Sequence, residues 1–219
     1  MTISNRINKV YYYLGTKAGL RNSIIAALVL VLCAGAFAAY HWYSIHREEQ
    51  AHKVFARSME EFEQAVTGDD MSKWSSVEQA FAAGYKSYSS SSLAPYFLAF
   101  QAEAQVQQNK LEEARTTLAN SLKHIAKSSP LYYLYATKLA LMSMDAEDMS
   151  VHESGKKMLA QLADDQKNPQ RDMALYYLGY CSFVAHDREN AEIAWSKLLQ
   201  SGADSVWAHL AQAKLEYSA

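Results

Sequence analysis

Histidines are the commonest metal ligands and general bases, and in this sequence their spacing favours structural roles. His41, His46 and His52 are near one another, but separations of five and six residues put them on different faces of a helix. The remaining histidines are isolated in sequence and are expected in solvated or capping positions: His124, His152, His186 and His209. We therefore predict no metal site.

Two pairs of adjacent aspartates could be read as catalytic carboxylates. Asp69-Asp70 and Asp164-Asp165 each precede a predicted helix, where aspartate caps free N–H groups and complements the helix dipole. The sequence has no glycine-rich phosphate loop, no H-E-x-x-H pattern and no nucleophile elbow. We predict a protein that is not an enzyme, with no catalytic residue, no cofactor and no small-molecule substrate. A cryptic active site is the alternative.

The two cysteines do not predict a disulfide bond. Cys33 lies in a long apolar run and Cys181 lies in the remainder of the chain. A bilayer boundary would separate them, so they are not expected to pair. We predict that Cys181 is a small buried residue and not a reactive thiol.

A long apolar run near the N-terminus organises the chain. No Asp, Glu, Lys or Arg occurs between Arg21 and Arg47. About 20 apolar residues in a helix cross the hydrocarbon core of a bilayer, so residues 22–45 are predicted to form a transmembrane helix. A cleaved signal peptide is the alternative, because Ala34-Gly35-Ala36 offers a weak cleavage signal.

Charge on the two sides of the run predicts its orientation. Residues 1–21 form a short basic tail, and residues 1–22 carry a net charge of +4, whereas the rest carries −6. The positive-inside rule predicts a cytoplasmic N-terminus and an exported domain over residues 46–219. The reverse topology remains open. Because the domain is acidic overall, nucleic-acid binding is not expected.

The remainder of the sequence predicts an all-α protein. Helix-favouring residues are abundant, prolines number three, and no stretch alternates with the period of a strand. The membrane helix is predicted to continue unbroken to about residue 66. Further helices are predicted at about 72–85, 94–107, 111–127, 131–144, 146–163, 170–185, 188–200 and 205–217. Ser150 and Glu153 have capping-box spacing, so the helix predicted at about 146–163 could begin at Val151 instead.

Small residues recur in these helices at a fixed spacing. Ala102 is followed twelve residues later by Ala114, and Gly179 is followed twelve residues later by Ala191. A polar turn falls between the members of each pair. Trp195 adds an aromatic residue four positions after Ala191. This pattern resembles the tetratricopeptide repeat, in which small residues let two helices of a hairpin approach closely.

The resemblance extends to the Leu178-Gly179 pair and to the repeat period. Ala136 lies 34 residues after Ala102, which is the length of one such repeat. The next interval is 43 residues, so the middle unit carries about nine extra residues. The resemblance implies a helical-hairpin solenoid whose last helix caps the stack. An unrelated helical bundle with small residues at close contacts is the alternative.

Tyrosines concentrate in the first helices of the predicted hairpins. The resemblance implies that these helices line a concave face, and adjacent tyrosines cannot both point into the core. We therefore expect a partner-binding groove that includes four of them: Tyr132, Tyr135, Tyr176 and Tyr180. Simple packing and rim exposure would account for the same tyrosines.

The layout as a whole resembles the YfgM family of ancillary subunits of the bacterial Sec translocon. The similarity lies in the short tail, the single membrane helix and the degenerate repeats, and is greatest at residues 94–122 and 173–198. It implies a single-pass protein of the bacterial inner membrane, with a periplasmic domain that acts as a protein–protein interaction scaffold. The implied partners are translocon subunits, periplasmic chaperones or exported chains. An interaction module of another envelope assembly, in outer-membrane biogenesis or appendage secretion, is the alternative.

Overall fold

The computed structural model describes residues 17–68, 70–202 and 204–218, and their side chains from residue 25 to residue 216. Residues 1–16 of the predicted tail, and Asp69, lie outside this description. The described residues form nine helices and no strand, which confirms the all-α prediction. They are α1 (Lys17–Thr67), α2 (Lys73–Ser87), α3 (Ala94–Gln107), α4 (Leu111–Leu122), α5 (Pro130–Met144), α6 (Met149–Asp164), α7 (Arg171–Val184), α8 (Arg188–Gln200) and α9 (Val206–Ser218).

Helix α1 is 51 residues long and carries the apolar run. Within the described part of the chain it is the one helix long and apolar enough to cross a membrane. The side chains of this run are uncovered; Leu30, for example, is 70% exposed. The helix continues to Thr67 as predicted, because no glycine or proline interrupts it after residue 46.

The chain divides into two compact units, Met1–Gln50 and Ala51–Ala219. In the second unit each helix packs mainly on its neighbours in sequence, which gives the hairpins α3–α4, α5–α6 and α7–α8. Its first core is aromatic. Phe55 and Phe62 of α1 meet Phe81 of α2 and the rings of Phe97 and Phe100 of α3, mostly edge to face.

Glycines allow two of these hairpins to close tightly. A Cβ on Gly179 of α7 would lie 2.4 Å from the indole Nε1 of Trp195 in α8. A Cβ on Gly155 of α6 would lie 2.7 Å from the carbonyl oxygen of Ala140 in α5. Any side chain at either position would therefore push the two helices apart.

Polar contacts link equivalent helices of successive hairpins. Lys138 of α5 donates to Glu103 of α3, 35 positions earlier. Lys197 of α8 pairs with Asp164 of α6, 33 positions earlier. The hydroxyl of Ser205, just before α9, donates to Asp172 of α7 over 2.8 Å, again 33 positions apart. The first helices α3 and α5 are thus joined to each other, the second helices α6 and α8 are joined likewise, and α7 is joined to the residue that precedes the last helix.

Two predicted helix boundaries are wrong. Helix α4 ends at Leu122 and not near residue 127, because the chain turns and buries Ile125 against its neighbours. Helix α6 begins at Met149, and its N-cap is Asp148, whose carboxylate accepts from the N–H of Ser150 over 2.8 Å. The capping box that would have started this helix at Val151 therefore does not form.

The predicted capping role of the second aspartate pair is also wrong. Asp164 is the last residue of α6 and Asp165 is the C-cap residue of that helix, whereas the N-cap residue of α7 is Gln170. Asn168 fills the connection, because its side-chain amide donates to the Leu162 carbonyl and its oxygen accepts from the N–H of Gln170. Asp70 of the first pair is not the N-cap of α2 either: that residue is Ser72, whose N–H donates to the Asp70 carboxylate over 3.0 Å in the turn before the helix.

Candidate interaction groove

An open groove of about 640 Å³ lies between α4, α5 and α6. We call it the α4–α6 groove. Its floor is apolar and its mouth carries polar and charged groups. The lining residues are Ala119, Leu122, Lys123, Ile125, Lys127, Tyr132, Tyr133, Ala136, Leu139, Met158, Gln161, Leu162 and Asp165. Its volume falls in the range typical of ligand and peptide-anchor sites.

The groove forms where two hydrophobic cores meet. One core belongs to α3, α4 and α5, and the other extends from α5 to α9. Leu122 and Met158 are half-buried and pack against both. Because α4 ends early, no further helical turn covers the gap between the cores. The floor is therefore fixed by well-packed side chains, while the opening is left to solvent.

A hydrogen-bonded pair lies at one end of the groove. The Tyr133 hydroxyl in the first turn of α5 donates to Asp165 Oδ2 over 3.0 Å, and the N–H of Lys167 donates to Asp165 Oδ1 over 2.9 Å. The N–H of Lys167 and the Tyr133 hydroxyl hold the pKa of the Asp165 carboxyl below its usual range. The Asp165 contact in turn raises the pKa of Tyr133. The carboxylate is thus ionised and already has partners.

The four tyrosines predicted to bind a partner occupy different environments. Tyr132 is half-buried and lines the groove, with its ring edge-on to Tyr133. Tyr135 is half-buried in the core that α5 shares with α3, and burial raises its pKa. Of the four, only Tyr132 lines the α4–α6 groove.

The two tyrosines of α7 differ from each other in exposure. Tyr176 is 9% exposed, and its ring centroid lies 5.5 Å from that of Trp207, so it packs in the core and offers little surface to a partner. Tyr180 is 40% exposed, and the Lys214 amine lies 5.7 Å above its ring. Tyr180 lines a second, smaller cavity.

That second cavity, of about 300 Å³, lies among α5, α6 and α7 and contains Cys181. Burial, together with the charge of Asp145, raises the pKa of the Cys181 thiol. His152 lies at the rim, where its Nδ1 is 2.5 Å from the Met144 carbonyl oxygen and donates to it. The thiol is therefore held in its protonated, poorly nucleophilic form. In the part of the chain that the structure describes, no group of three His, Cys, Asp or Glu side chains could hold a metal ion.

The residues predicted to pack the repeats lie on the helices of the three hairpins, and all but one of them are buried. These are buried: Ala102, Ala114, Ala136, Gly179, Ala191 and Trp195. Leu178 is half-buried and lines the second cavity. The indole of Trp195 fills the space above Gly179, and its N–H donates to the Tyr176 carbonyl over 3.1 Å.

Sequence reasoning missed the close packing around two further glycines and two residues that line the α4–α6 groove. Gly84 and Gly155 make contacts as close as that of Gly179, and a Cβ on Gly84 would lie 2.2 Å from the Phe97 ring. A glycine inside a helix was the available signal. Glycine makes a helix less stable than alanine does, so it is expected there mainly where another group must approach closely. Ile125 and Lys127 were missed for another reason: both fell inside the predicted extension of α4.

No family model matches this chain, and no curated protein matches it either.

Proposed function

We propose that this chain is a membrane-anchored scaffold that binds protein partners on the export side of the bacterial inner membrane, ancillary to the Sec translocon and to chaperone handling of exported proteins. The observation that carries the proposal is that one polypeptide combines an exposed apolar run with an open, largely apolar groove. The run is that of α1, and the groove is the α4–α6 groove. The first suits lipid and the second suits an apolar segment of a protein.

The contacts between hairpins support a tetratricopeptide-like arrangement of the second unit. Links at separations of 33 to 35 residues join equivalent helices, and this spacing matches the period of the repeat. Gly179 beneath Trp195 provides the close approach that the repeat needs. A stack of that kind works by holding a peptide or a helix and not by covalent chemistry.

The location of the scaffold rests on charge and on the ends of the apolar run. The basic residues Arg6, Lys9, Lys17 and Arg21 precede the run, which favours a cytoplasmic N-terminus. Tyr40 and Trp42, which suit a membrane–water interface, stand near its other end and are exposed. The domain that follows is then periplasmic.

Crosslinking in living cells tests the proposed partners. A photoreactive amino acid at Tyr132 or Lys127 in the full chain is expected to trap translocon subunits, periplasmic chaperones or exported chains. The same amino acid at Gln79, an exposed position on α2, is the control. Recovery of outer-membrane biogenesis or appendage-secretion subunits would favour the alternative assembly. The absence of any crosslink specific to the groove would contradict a scaffold that uses it.

A reporter fusion tests the proposed topology separately. An enzyme that is active only in the periplasm, fused after Ala219, is expected to be active. A reporter that is active only in the cytoplasm, fused at the same point, is expected to be inactive. The opposite pair of results would place the domain in the cytoplasm.

A further inference from the structure

The α4–α6 groove is built entirely from helices and their connections, which limits how it can hold a peptide. It offers no strand edge to which an extended peptide could add its backbone hydrogen bonds. Recognition must therefore come from side chains that enter the apolar floor. An amphipathic helix presents side chains in that way, with anchors at positions i, i+3 or i+4, and i+7.

The length of the floor fits such a helix. Tyr132 and Leu139 are the first and the last residues of α5 in its lining. Seven residues of helix span about 10 Å, at about 1.5 Å per residue. Anchors at i and i+7 in a bound helix are separated by the same distance. The floor is thus long enough for two or three apolar side chains, and the volume of about 640 Å³ leaves room for them.

The mouth of the groove carries a positive excess. Lys123 and Lys127 both line it and are exposed, and among the described residues neither forms an ion pair with a carboxylate. The Lys123 amine donates only to the neutral side chain of Asn120, over 2.9 Å. Asp165 is the one carboxylate in the lining, and its two oxygens accept from Tyr133 and from the N–H of Lys167. Lys167 adds another exposed amine beside it.

We infer that the occupant of the α4–α6 groove is an amphipathic helical segment of a partner protein whose apolar anchors are flanked by Asp or Glu. The leucine-like side chains lie on the floor between Tyr132 and Leu139, and the carboxylates face Lys123 and Lys127. The apolar floor supplies the affinity, while the two lysines select against segments with basic flanks. The inference rests on the proposed scaffold function and names the class of partner that this groove takes.

Two peptides that differ only in flanking charge test this directly. Each is about 16 residues long, helical and fluorescently labelled, with leucines at i, i+4 and i+7. One carries pairs of Glu at its ends and the other carries pairs of Lys. Binding to the full chain in nanodiscs of neutral lipid is measured by fluorescence anisotropy. At about 50 mM salt the Glu peptide is expected to bind roughly tenfold more tightly than the Lys peptide. Higher salt is expected to reduce this difference in affinity, because it screens the charges.

Variants locate the binding and separate charge from packing. The double variant K123E/K127E is expected to invert the preference. The control K73E/K86E makes the same change of charge on α2 and is expected to leave the preference for the Glu peptide unchanged. Gln161→Trp, at an exposed position on the lining, is expected to fill the groove and to abolish binding of both peptides. Thermal unfolding of each variant shows whether its fold is retained.

Several outcomes would overturn the inference. They are equal or tighter binding of the Lys peptide, no binding of either peptide, and a preference that K123E/K127E does not change. Failure here combined with groove-specific crosslinks in cells would reject the acidic helix and keep the scaffold. Tight binding of the Glu peptide combined with no crosslinks would keep the groove's chemistry and reject the proposed cellular role.

Discussion

Gly179 of α7 lies directly beneath the indole of Trp195 in α8, so that a Cβ at position 179 would meet Nε1 at 2.4 Å. The indole cannot shift easily, because it is fully buried and its N–H is bonded to the Tyr176 carbonyl. The Gly179→Ala variant is therefore expected to lower the free energy of unfolding by about 1–3 kcal/mol. Urea denaturation followed by Trp fluorescence measures this. Gly35→Ala, at a helical glycine with nothing within 4 Å and outside the unit Ala51–Ala219, is the control and should leave the unfolding of that unit unchanged.

Gly155 makes the corresponding contact in the α5–α6 hairpin, but with backbone atoms. A Cβ there would lie 2.7 Å from the Ala140 carbonyl oxygen and 2.9 Å from the Met144 nitrogen. Backbone cannot rotate away as a side chain can, so Gly155→Ala is expected to cost about 1–3 kcal/mol and to widen the hairpin. Ser154→Ala, at the exposed neighbouring position, should change stability by less than about 0.5 kcal/mol. Equal stability of the two variants, measured by thermal unfolding, would contradict the close approach.

Glu78 of α2 joins α2 to the end of α3 through an ionised carboxylate. Burial disfavours the charge, but hydrogen bonds from Lys110, Gln105 and Gln108 outweigh it and lower the pKa of Glu78. Because this pKa is lower in the folded state than in the unfolded chain, the stabilisation is present at neutral pH. It is lost as the pH falls below the usual carboxyl range.

The Glu78→Gln variant isolates that contribution. At pH 7 it is expected to be less stable than the natural chain by about 1 kcal/mol, because Lys110 is partly exposed and water screens the pair. At the lowest pH at which both proteins still fold, their free energies of unfolding should become equal. Denaturant titrations at several pH values measure the gap, and a gap that does not depend on pH would show that Glu78 acts without its charge.

The Cys181 thiol is expected to react slowly in the folded protein. Burial raises the pKa of this thiol, so in a Cys33→Ser background its alkylation rate should still be rising at pH values where the rate for the unfolded chain has reached its plateau. Removal of the Asp145 charge in Asp145→Asn should lower the midpoint of that pH profile. Mass spectrometry of timed samples gives the rates. Native and urea-unfolded protein with the same profile would refute a buried thiol.

The sequence predicted helices well where local signals decide them. Pro130 opens α5, and small residues at a spacing of twelve mark the hairpin that Trp195 closes. It failed at the end of α4, because residues 123–127 contain nothing that breaks a helix. Ile125, in the turn that follows, is buried and lines the α4–α6 groove together with residues of α5 and α6, and a local pattern cannot report such an arrangement.

The groove was predictable only in part for the same reason. Tyr132 was expected at a binding surface from its place in the first helix of a hairpin, and it lines the groove. Tyr176 has the same sequence signal, yet Trp207 covers it. The position of Trp207 depends on how α9 packs, which no spacing within α7 encodes. Lys127 lines the groove because α4 ends at Leu122. The prediction placed Lys127 inside that helix and so did not indicate its place in the groove.

The polar links between hairpins have a consequence for how the domain is made. Glu103 meets Lys138, Asp164 meets Lys197 and Asp172 meets Ser205, all at separations of 33 to 35 residues. Contacts this close in sequence need only small loops to form, so little chain entropy is lost before each one. A chain that becomes available progressively, starting with its N-terminus, can thus fold one hairpin before the residues of the next hairpin are available. We expect a nascent domain of this design to gain protease resistance in steps, one hairpin at a time, before its C-terminus is released.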